Sequence, residues 1–196
     1  MQECMLFAWK NEYECSHVNG GMNTNKALFL DRDGVINHRI VGGYVRNQHE
    51  FILQSEIIPL LRSARQLGYL LILVSNQQGV GKGIMTLEEL EHVHEYMQEV
   101  LASELDGKGL DDIKYCTELA SANSLRRKPA PGMLLEAISE YNLDPALCWF
   151  IGDSVSDAQA GRAAEVHTVL IGEHPAESAD VIIPHHSGLF ALIDLF

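Results

Sequence analysis

The sequence has little positive charge. Its 196 residues include 14 Lys and Arg against 27 Asp and Glu, which gives a formal net charge of −13. Proteins that bind the phosphate backbone of nucleic acids use clustered Lys and Arg, so this composition argues against a general nucleic-acid binder.

Long apolar runs and paired cysteines are also missing. No run approaches the roughly 18–20 apolar residues that a membrane-spanning helix needs, so we do not expect an integral membrane protein. The cysteines are scattered and no two form a C-x-x-C pair, which argues against a disulfide framework or a zinc finger; they are Cys4, Cys15, Cys116 and Cys148. This pattern favours the reducing cytoplasm.

What the chain does have is enough apolar sequence for one core, since 46% of its residues are hydrophobic. Residues 1–21 differ from the rest: they lack the basic start and the apolar stretch of a secretory signal. We expect them to form a disordered extension, with Met22 as an alternative start. Residues 22–196 are expected to form a single domain, present as a monomer or a small homo-oligomer.

Apolar runs of strand length recur along the chain and alternate with helical patterns. Continuous rather than alternating apolar strands are typical of parallel strands that are covered on both faces. The alternation predicts an α/β fold, with a doubly wound, Rossmann-like parallel sheet flanked by helices. The predicted strands are Ala27–Leu30, Tyr69–Val74, Ile113–Cys116, Cys148–Ile151, His167–Ile171 and Val181–Ile183.

Local signals place the helices. Ser55 is the expected N-cap of the first helix, and Thr86 with Glu89 reads as a capping box for the second. The second helix is expected to bury Leu87, Leu90, Val93, Met97, Val100 and Leu101, and to expose His92 and His94. Further helices are predicted over about 131–141, after Ser156, and at the end of the chain.

Polar side chains follow four of the predicted strands. In open α/β sheets, ligands bind beyond the carboxyl ends of the strands, so these side chains should meet at one edge. They are Asp31 and Asp33 after the first strand, Ser75, Asn76 and Gln77 after the second, Arg127 and Lys128 in the loop after the third, and Asp153 with Asp157 after the fourth.

The residue types in this set suit phosphoryl chemistry. Asp31, Asp33 and Asp153 would crowd negative charge, which is costly unless they share a cation. Carboxylate oxygens suit Mg²⁺. Ser75 and Lys128 add a hydroxyl donor and a positive charge. Phosphoryl transfer depends mainly on positioning and on charge stabilisation of this kind.

The motifs Asp31-Arg32-Asp33-Gly34-Val35-Ile36-Asn37, Ser75, Lys128 and Gly152-Asp153-x-x-x-Asp157 resemble, in order, the four motifs of the haloacid dehalogenase superfamily. Ser75 to Gly79 and Arg127 to Met133 resemble the branch of heptose-bisphosphate and histidinol-phosphate phosphatases. The resemblance implies that Asp31 is the nucleophile and Asp33 the acid and base. It also implies that Ser75 and Lys128 hold the phosphoryl oxygens, that Asn76, Gln77 and Arg127 bind substrate, and that Asp31, Asp33 (through its carbonyl) and Asp153 bind Mg²⁺. The expected substrate is a small phosphorylated sugar, with D-glycero-D-manno-heptose 1,7-bisphosphate, hydrolysed to the 1-phosphate, as the first candidate.

The chain departs from that branch in the loop after the third strand. Relatives there carry a zinc loop, whereas here Cys116 has one matching place and Glu118, Ser124 and Arg126 fill the others. One ligand cannot build a tetrahedral site, so we expect no structural zinc.

The cap is minimal, a flap within residues 35–54 in which Tyr44 could support the site. Asp157 could orient Lys128, cap a helix or touch the metal. Histidinol phosphate, another small phosphomonoester or a non-catalytic phosphate-binding role remain alternatives.

Overall fold

We describe a computed structural model of the chain, which covers residues 25–195. The extension predicted over residues 1–21 and the alternative start at Met22 lie outside the described residues, as does Phe196. The division into an extension and one domain therefore stays a prediction.

Six parallel strands form one sheet in the order β3-β2-β1-β4-β5-β6. This is the doubly wound order, in which the direction of winding reverses between β1 and β4. The predicted fold class is confirmed. The strands are β1 (Ala27–Leu30), β2 (Leu70–Asn76), β3 (Asp112–Cys116), β4 (Trp149–Gly152), β5 (His167–Ile171) and β6 (Val181–Ile183).

Helices cover both faces of the sheet. On one face, Leu28 and Leu30 of β1 pack in a cluster with α1, α2 and the C-terminal 3₁₀ helix; on the other, Ala27 and Phe29 pack with α3 and α4. This two-sided burial explains why β1 is continuously apolar. The helices are α1 (Ile58–Gln66), α2 (Leu87–Glu104), α3 (Gly132–Glu140), α4 (Val155–Ala163) and the 3₁₀ helix His186–Leu195.

Helix starts are where the predictions succeed and fail most clearly. The capping box of Thr86 and Glu89 is present. Ser55 is not an N-cap, because it lies inside a 3₁₀ turn, Ser55–Ile57, that precedes α1. The helix expected after Ser156 begins at Val155 with Ser154 as its N-cap.

Two burial predictions for α2 are wrong. Leu87, the first residue of the helix, is 46% exposed, whereas His94 is only 5% exposed. His92 is exposed, as expected.

The segment between β1 and α1 forms the predicted flap. Its base is held in the core by Val35, Ile36, Val45 and Phe51, whereas residues 38–43 are exposed. Among residues 25–195, no helix has the length and apolarity to cross a membrane.

Candidate active site

The site lies at the carboxyl edge of the sheet, where the order of the strands reverses between β1 and β4. Asp31 directly follows β1 and its backbone N–H donates to the carbonyl of Ile151 in β4, 2.9 Å away. Asp153 directly follows β4, and Ser75 and Asn76 end β2. The topology therefore brings the predicted residues of three separate strands to one place.

Lys128 is the charged centre of this site. Its Nζ lies 3.0 Å from Asp31 Oδ1 and 2.6 Å from Asp157 Oδ1, and all three side chains are buried. Burial alone would lower the pKa of Lys128, but Asp157 and Asp31 together raise it above its ordinary value. Lys128 is therefore a permanent cation beside Asp31.

Asn76 positions the backbone of Lys128. Its side-chain nitrogen donates to the carbonyl oxygen of Lys128 at 2.9 Å, and its side-chain oxygen accepts from the Lys128 N–H at 3.0 Å. Asn76 also lines the cavity in front of Asp31. Its predicted contact with substrate stays a prediction.

Asp33 is held by three side chains. Its Oδ1 accepts from Asn37 at 2.9 Å, its Oδ2 accepts from Gln77 at 3.1 Å, and Arg32 donates to both oxygens at 3.2 and 3.0 Å. Burial would raise the pKa of Asp33, but Arg32, Asn37 and Gln77 lower it below its ordinary value. Gln77 is itself buried and also donates to Ser75 Oγ at 2.9 Å. The resting Asp33 is therefore an ionised and firmly oriented carboxylate.

Three carboxylates could hold a metal ion here. Asp31, Asp153 and Asp157 each place one oxygen so that all three lie within 4.8 Å of one another. Burial, with Asp31 next in effect, raises the pKa of Asp153 to about 7. An arrangement of crowded, hard oxygen donors fits a divalent cation such as Mg²⁺, which would remove the repulsion. The sequence predicted Asp31, Asp153 and the backbone carbonyl of Asp33 as the metal ligands. The cluster of carboxylates in the structure also contains Asp157. The role of the Asp33 carbonyl stays a prediction.

Asp157 combines two of its three possible roles. Its Oδ1 pairs with Lys128, while its Oδ2 accepts from the Ser154 N–H at 3.0 Å and from the Ser154 hydroxyl at 2.7 Å. It thus orients Lys128 and completes the N-terminal cap of α4.

Gly34 has a φ of 94° and packs directly against Asp153, so a side chain there would collide with that carboxylate.

Replacing Asp153 with Asn is expected to stabilise the metal-free protein by about 1–3 kcal/mol at pH 8, because it removes a carboxylate whose ionisation is costly. The pKa of about 7 in the folded protein lies above the ordinary value of 3.8 for an aspartate. The gain should therefore be absent at pH 4, grow up to pH 7 and level off above it. Urea unfolding without metal measures it.

The same variant should lose the stabilisation that added Mg²⁺ gives the native protein. Glu99→Gln, on the exposed face of α2, is the matched control and should change neither quantity. A destabilised Asp153→Asn protein in metal-free buffer would contradict the idea that these carboxylates repel one another.

The mouth of the site is a cavity of about 560 Å³ between the flap and the loop after β2. Tyr44 packs against Gly79, and its hydroxyl oxygen accepts from Lys82 Nζ at 2.9 Å. Arg127 donates to the carbonyl of Glu118 at 3.1 Å and to the side chain of Gln78 at 3.3 Å. Tyr44 lines this cavity together with Asp31, and Arg127 reaches it through Gln78, which also lines it.

Sequence reasoning missed three residues of this site. Arg32 and Asn37 both bind Asp33, and Arg39 from the flap pairs with Asp153 at 2.7 Å. Arg32 and Asn37 belong to the first motif, so their place beside the two aspartates was the available signal. Arg39 gave none, since flap geometry cannot be read from spacing.

The loop after β3 contains the positions compared with a zinc loop. Cys116 Sγ lies 3.7 Å from a carboxylate oxygen of Glu118. Arg126 pairs with Glu136 of α3. The absence of structural zinc stays a prediction.

Comparison with known proteins places the chain among hydrolases. The model of the family described as haloacid dehalogenase-like hydrolase matches residues 12–165. The D-glycero-beta-D-manno-heptose-1,7-bisphosphate 7-phosphatase of Helicobacter pylori (strain ATCC 700392 / 26695) is 42% identical over 80% of this chain and 90% of that relative. The corresponding alpha-heptose enzyme of Burkholderia mallei is 38% identical over 75% of this chain and 79% of its own length.

A solved structure agrees on the fold. The D,D-heptose 1,7-bisphosphate phosphatase of B. bronchiseptica, complexed with magnesium and phosphate, superposes with a TM-score of 0.75 at 24% identity. The match covers 87% of this chain and 98% of that one. At 24% sequence identity, this similarity shows that the two proteins share a fold.

Proposed function

The chain belongs to the haloacid dehalogenase-like hydrolases, and we propose that it removes the 7-phosphate of D-glycero-D-manno-heptose 1,7-bisphosphate. It is a phosphoric monoester hydrolase. The choice of substrate is carried by one observation, namely that relatives 42% and 38% identical, matched over most of their length, are named for this activity. A cytoplasmic location and a requirement for Mg²⁺ are part of the proposal.

The first step would be transfer of the phosphoryl group to Asp31. Its carboxylate oxygen attacks phosphorus, the bond from phosphorus to the sugar oxygen breaks, and that oxygen takes a proton from Asp33. Asp33 is ionised before substrate binds, so it first takes up a proton from solvent; the negative charge of the arriving phosphate raises the pKa of Asp33 and favours this uptake. Lys128 and Ser75 stabilise the charge on the transferring oxygens.

The second step would release phosphate. Asp33, now a carboxylate, takes a proton from water as the water oxygen attacks phosphorus, and the bond from phosphorus to Asp31 breaks. Asp31, Asp153 and the backbone carbonyl of Asp33 would hold Mg²⁺, which when bound neutralises negative charge on the phosphoryl group. Arg127, Asn76 and Gln77 would orient the rest of the substrate, with Tyr44 supporting the rim.

A panel of phosphate esters with Mg²⁺ tests this function. It should include both anomers of the heptose 1,7-bisphosphate, histidinol phosphate and simple sugar phosphates. We expect one phosphate released per heptose bisphosphate, leaving the 1-phosphate, with kcat/KM exceeding that for the other esters by about tenfold or more, or about 1.4 kcal/mol.

Other results of the panel would change the proposal in distinct ways. A higher kcat/KM for histidinol phosphate would replace the substrate but keep the chemistry. No phosphate release from any ester would favour a non-catalytic phosphate-binding role. The two anomers separate the two groups of relatives, which are named for the beta and the alpha sugar.

A further inference from the structure

Arg32 lies between Asp31 and Asp33 in the chain, and its side chain has no contact with solvent. Its side chain is 0% exposed, so it cannot touch a substrate. A buried guanidinium is costly unless an anion and hydrogen-bond acceptors surround it. The residues that Arg32 contacts therefore indicate the role of its buried positive charge.

The anion that Arg32 contacts is Asp33. A single guanidinium nitrogen, Nη2, donates to both carboxylate oxygens, at 3.2 and 3.0 Å. The Asp33 side chain is 23% exposed and faces the cavity. Arg32 thus binds the Asp33 carboxylate from the buried side, and the side of the carboxylate that faces the cavity stays open to a substrate.

The other terminal nitrogen of Arg32 contacts His94 of α2. Nη1 lies 3.4 Å from Nε2 of the buried imidazole. Burial, with the charge of Arg32 next in effect, lowers the pKa of His94 to about 3. The ring is therefore neutral at working pH, and its Nε2 can accept a hydrogen bond from Arg32 without adding a second buried cation.

Packing fixes His94 in turn. Its neighbours along the buried stripe of α2 are Leu90 and Met97, and its ring lies 5.2 Å from the ring of Tyr115 in β3. A helix, a strand and the end of β1 therefore support one carboxylate through a chain of three side chains, His94, Arg32 and Asp33.

We propose that Arg32 is a positioning residue for the proton transfers of Asp33, and that His94 holds Arg32 in place from behind. This inference rests on the proposed function, in which Asp33 first gives a proton to the leaving oxygen and then takes one from water. It extends that function from the groups at the reacting phosphorus to two buried residues that never reach the substrate.

The leaving group separates positioning of Asp33 from general damage to the fold. p-Nitrophenolate leaves phosphorus without a proton, so formation of the aspartyl-phosphate from p-nitrophenyl phosphate does not need Asp33 as acid. Hydrolysis of that intermediate still needs Asp33 as base. Displacing Asp33 should therefore leave the first step fast and make the second step slow.

For Arg32→Met with p-nitrophenyl phosphate and Mg²⁺, we expect a burst of about one p-nitrophenolate per active site, then turnover on the order of 10²-fold slower than in the native protein. With a sugar phosphate, kcat should fall at least as far without a burst, and KM should change by less than about threefold. Arg32→Lys should be intermediate, because one ammonium cannot serve both Asp33 and His94.

His94 provides a second, independent pair of variants. His94→Leu should show the same burst with a smaller loss of turnover, and His94→Gln, whose amide oxygen can accept from Arg32, should recover most of it. These variants also serve if Arg32→Met does not fold. Arg62→Met is the matched control, since this exposed arginine donates to the carbonyl of Glu104 far from the site.

Two results would overturn the inference. One is the absence of a p-nitrophenolate burst, together with an equal loss of turnover with both substrates, in variants whose circular dichroism matches the native protein. The other is native turnover in Arg32→Met and His94→Leu. A native protein that hydrolyses neither ester would instead overturn the proposed function, and with it this inference.

Discussion

Replacing Asp31 with Asn is expected to lower kcat by at least about 10⁴-fold, which corresponds to about 5.4 kcal/mol of transition-state stabilisation. The amide has no anionic oxygen to attack phosphorus, so the first step is lost. Phosphate release from the best ester of the panel measures the change.

The same variant should keep its fold. Asn has the shape of Asp, and Lys128 keeps its contact with Asp157, 2.6 Å away. Burial first, and then Asp157 and Asp33 against the opposing effect of Lys128, raise the pKa of Asp31, so the native carboxylate is already costly to ionise. We therefore expect little change in the unfolding midpoint.

Acid quenching provides the decisive control for Asp31. Native protein quenched during turnover of a ³²P-labelled ester should retain label on the chain, and Asp31→Asn should retain none. Activity of the variant above about 1% of native would contradict nucleophilic attack by this residue.

The site could be predicted in outline because its parts follow directly from the strands. Asp31, Ser75 and Asp153 each sit at the end of a buried apolar run, and parallel strands bring such ends to one edge. The match of β1, β5 and β6 to their predicted bounds shows how strong that apolar signal is. Lys128 lies in a loop and could be identified only through its motif.

His94 shows where reasoning from residue type fails. Leu90, His94, Met97 and Leu101 recur at the spacing of one helix face, so periodicity alone would have placed the histidine inside. Its polarity suggested the surface instead. Burial is possible because Arg32 donates to the ring, and that contact joins residues 62 positions apart in the chain. No local pattern reports such a pair.

Ser55 shows a different limit, at a helix start. A serine before an apolar helical pattern fits an N-cap, yet here its hydroxyl donates to the side chain of Glu56, and the backbone makes a 3₁₀ turn before α1. Both starts satisfy the same backbone groups, so the choice depends on how the flap enters the helix, which is a tertiary effect.

Replacing Lys128 with Met is expected to affect both stability and activity. The substitution leaves Asp31 and Asp157 buried without their shared cation, and removing one partner of a buried pair costs about 3–5 kcal/mol. We expect kcat to fall by on the order of 10²–10³-fold in protein that remains folded, because a charge beside the transferring oxygens is lost. Urea unfolding and phosphate release measure the two effects.

Lys114→Met is the matched control for Lys128. Lys114 also pairs with two carboxylates, Asp112 at 2.8 Å and Glu140 at 2.6 Å, but Glu140 is 54% exposed. Lys114 and Asp112 are themselves only 15% and 20% exposed, so losing Lys114 leaves one largely buried carboxylate unpaired, whereas losing Lys128 leaves two. The control should therefore retain full activity and lose less stability than Lys128→Met.

Adding Asp157→Asn to Lys128→Met separates the two effects of the lysine. If unpaired buried charge causes the instability, removing the Asp157 carboxylate should recover about 1–2 kcal/mol, although the hydrogen bonds to Ser154 will be weaker with an amide. Activity should not recover, because the missing cation faces the phosphoryl oxygens in either background. If the double variant is instead less stable than Lys128→Met, the role of Asp157 as the N-terminal cap of α4 outweighs its charge.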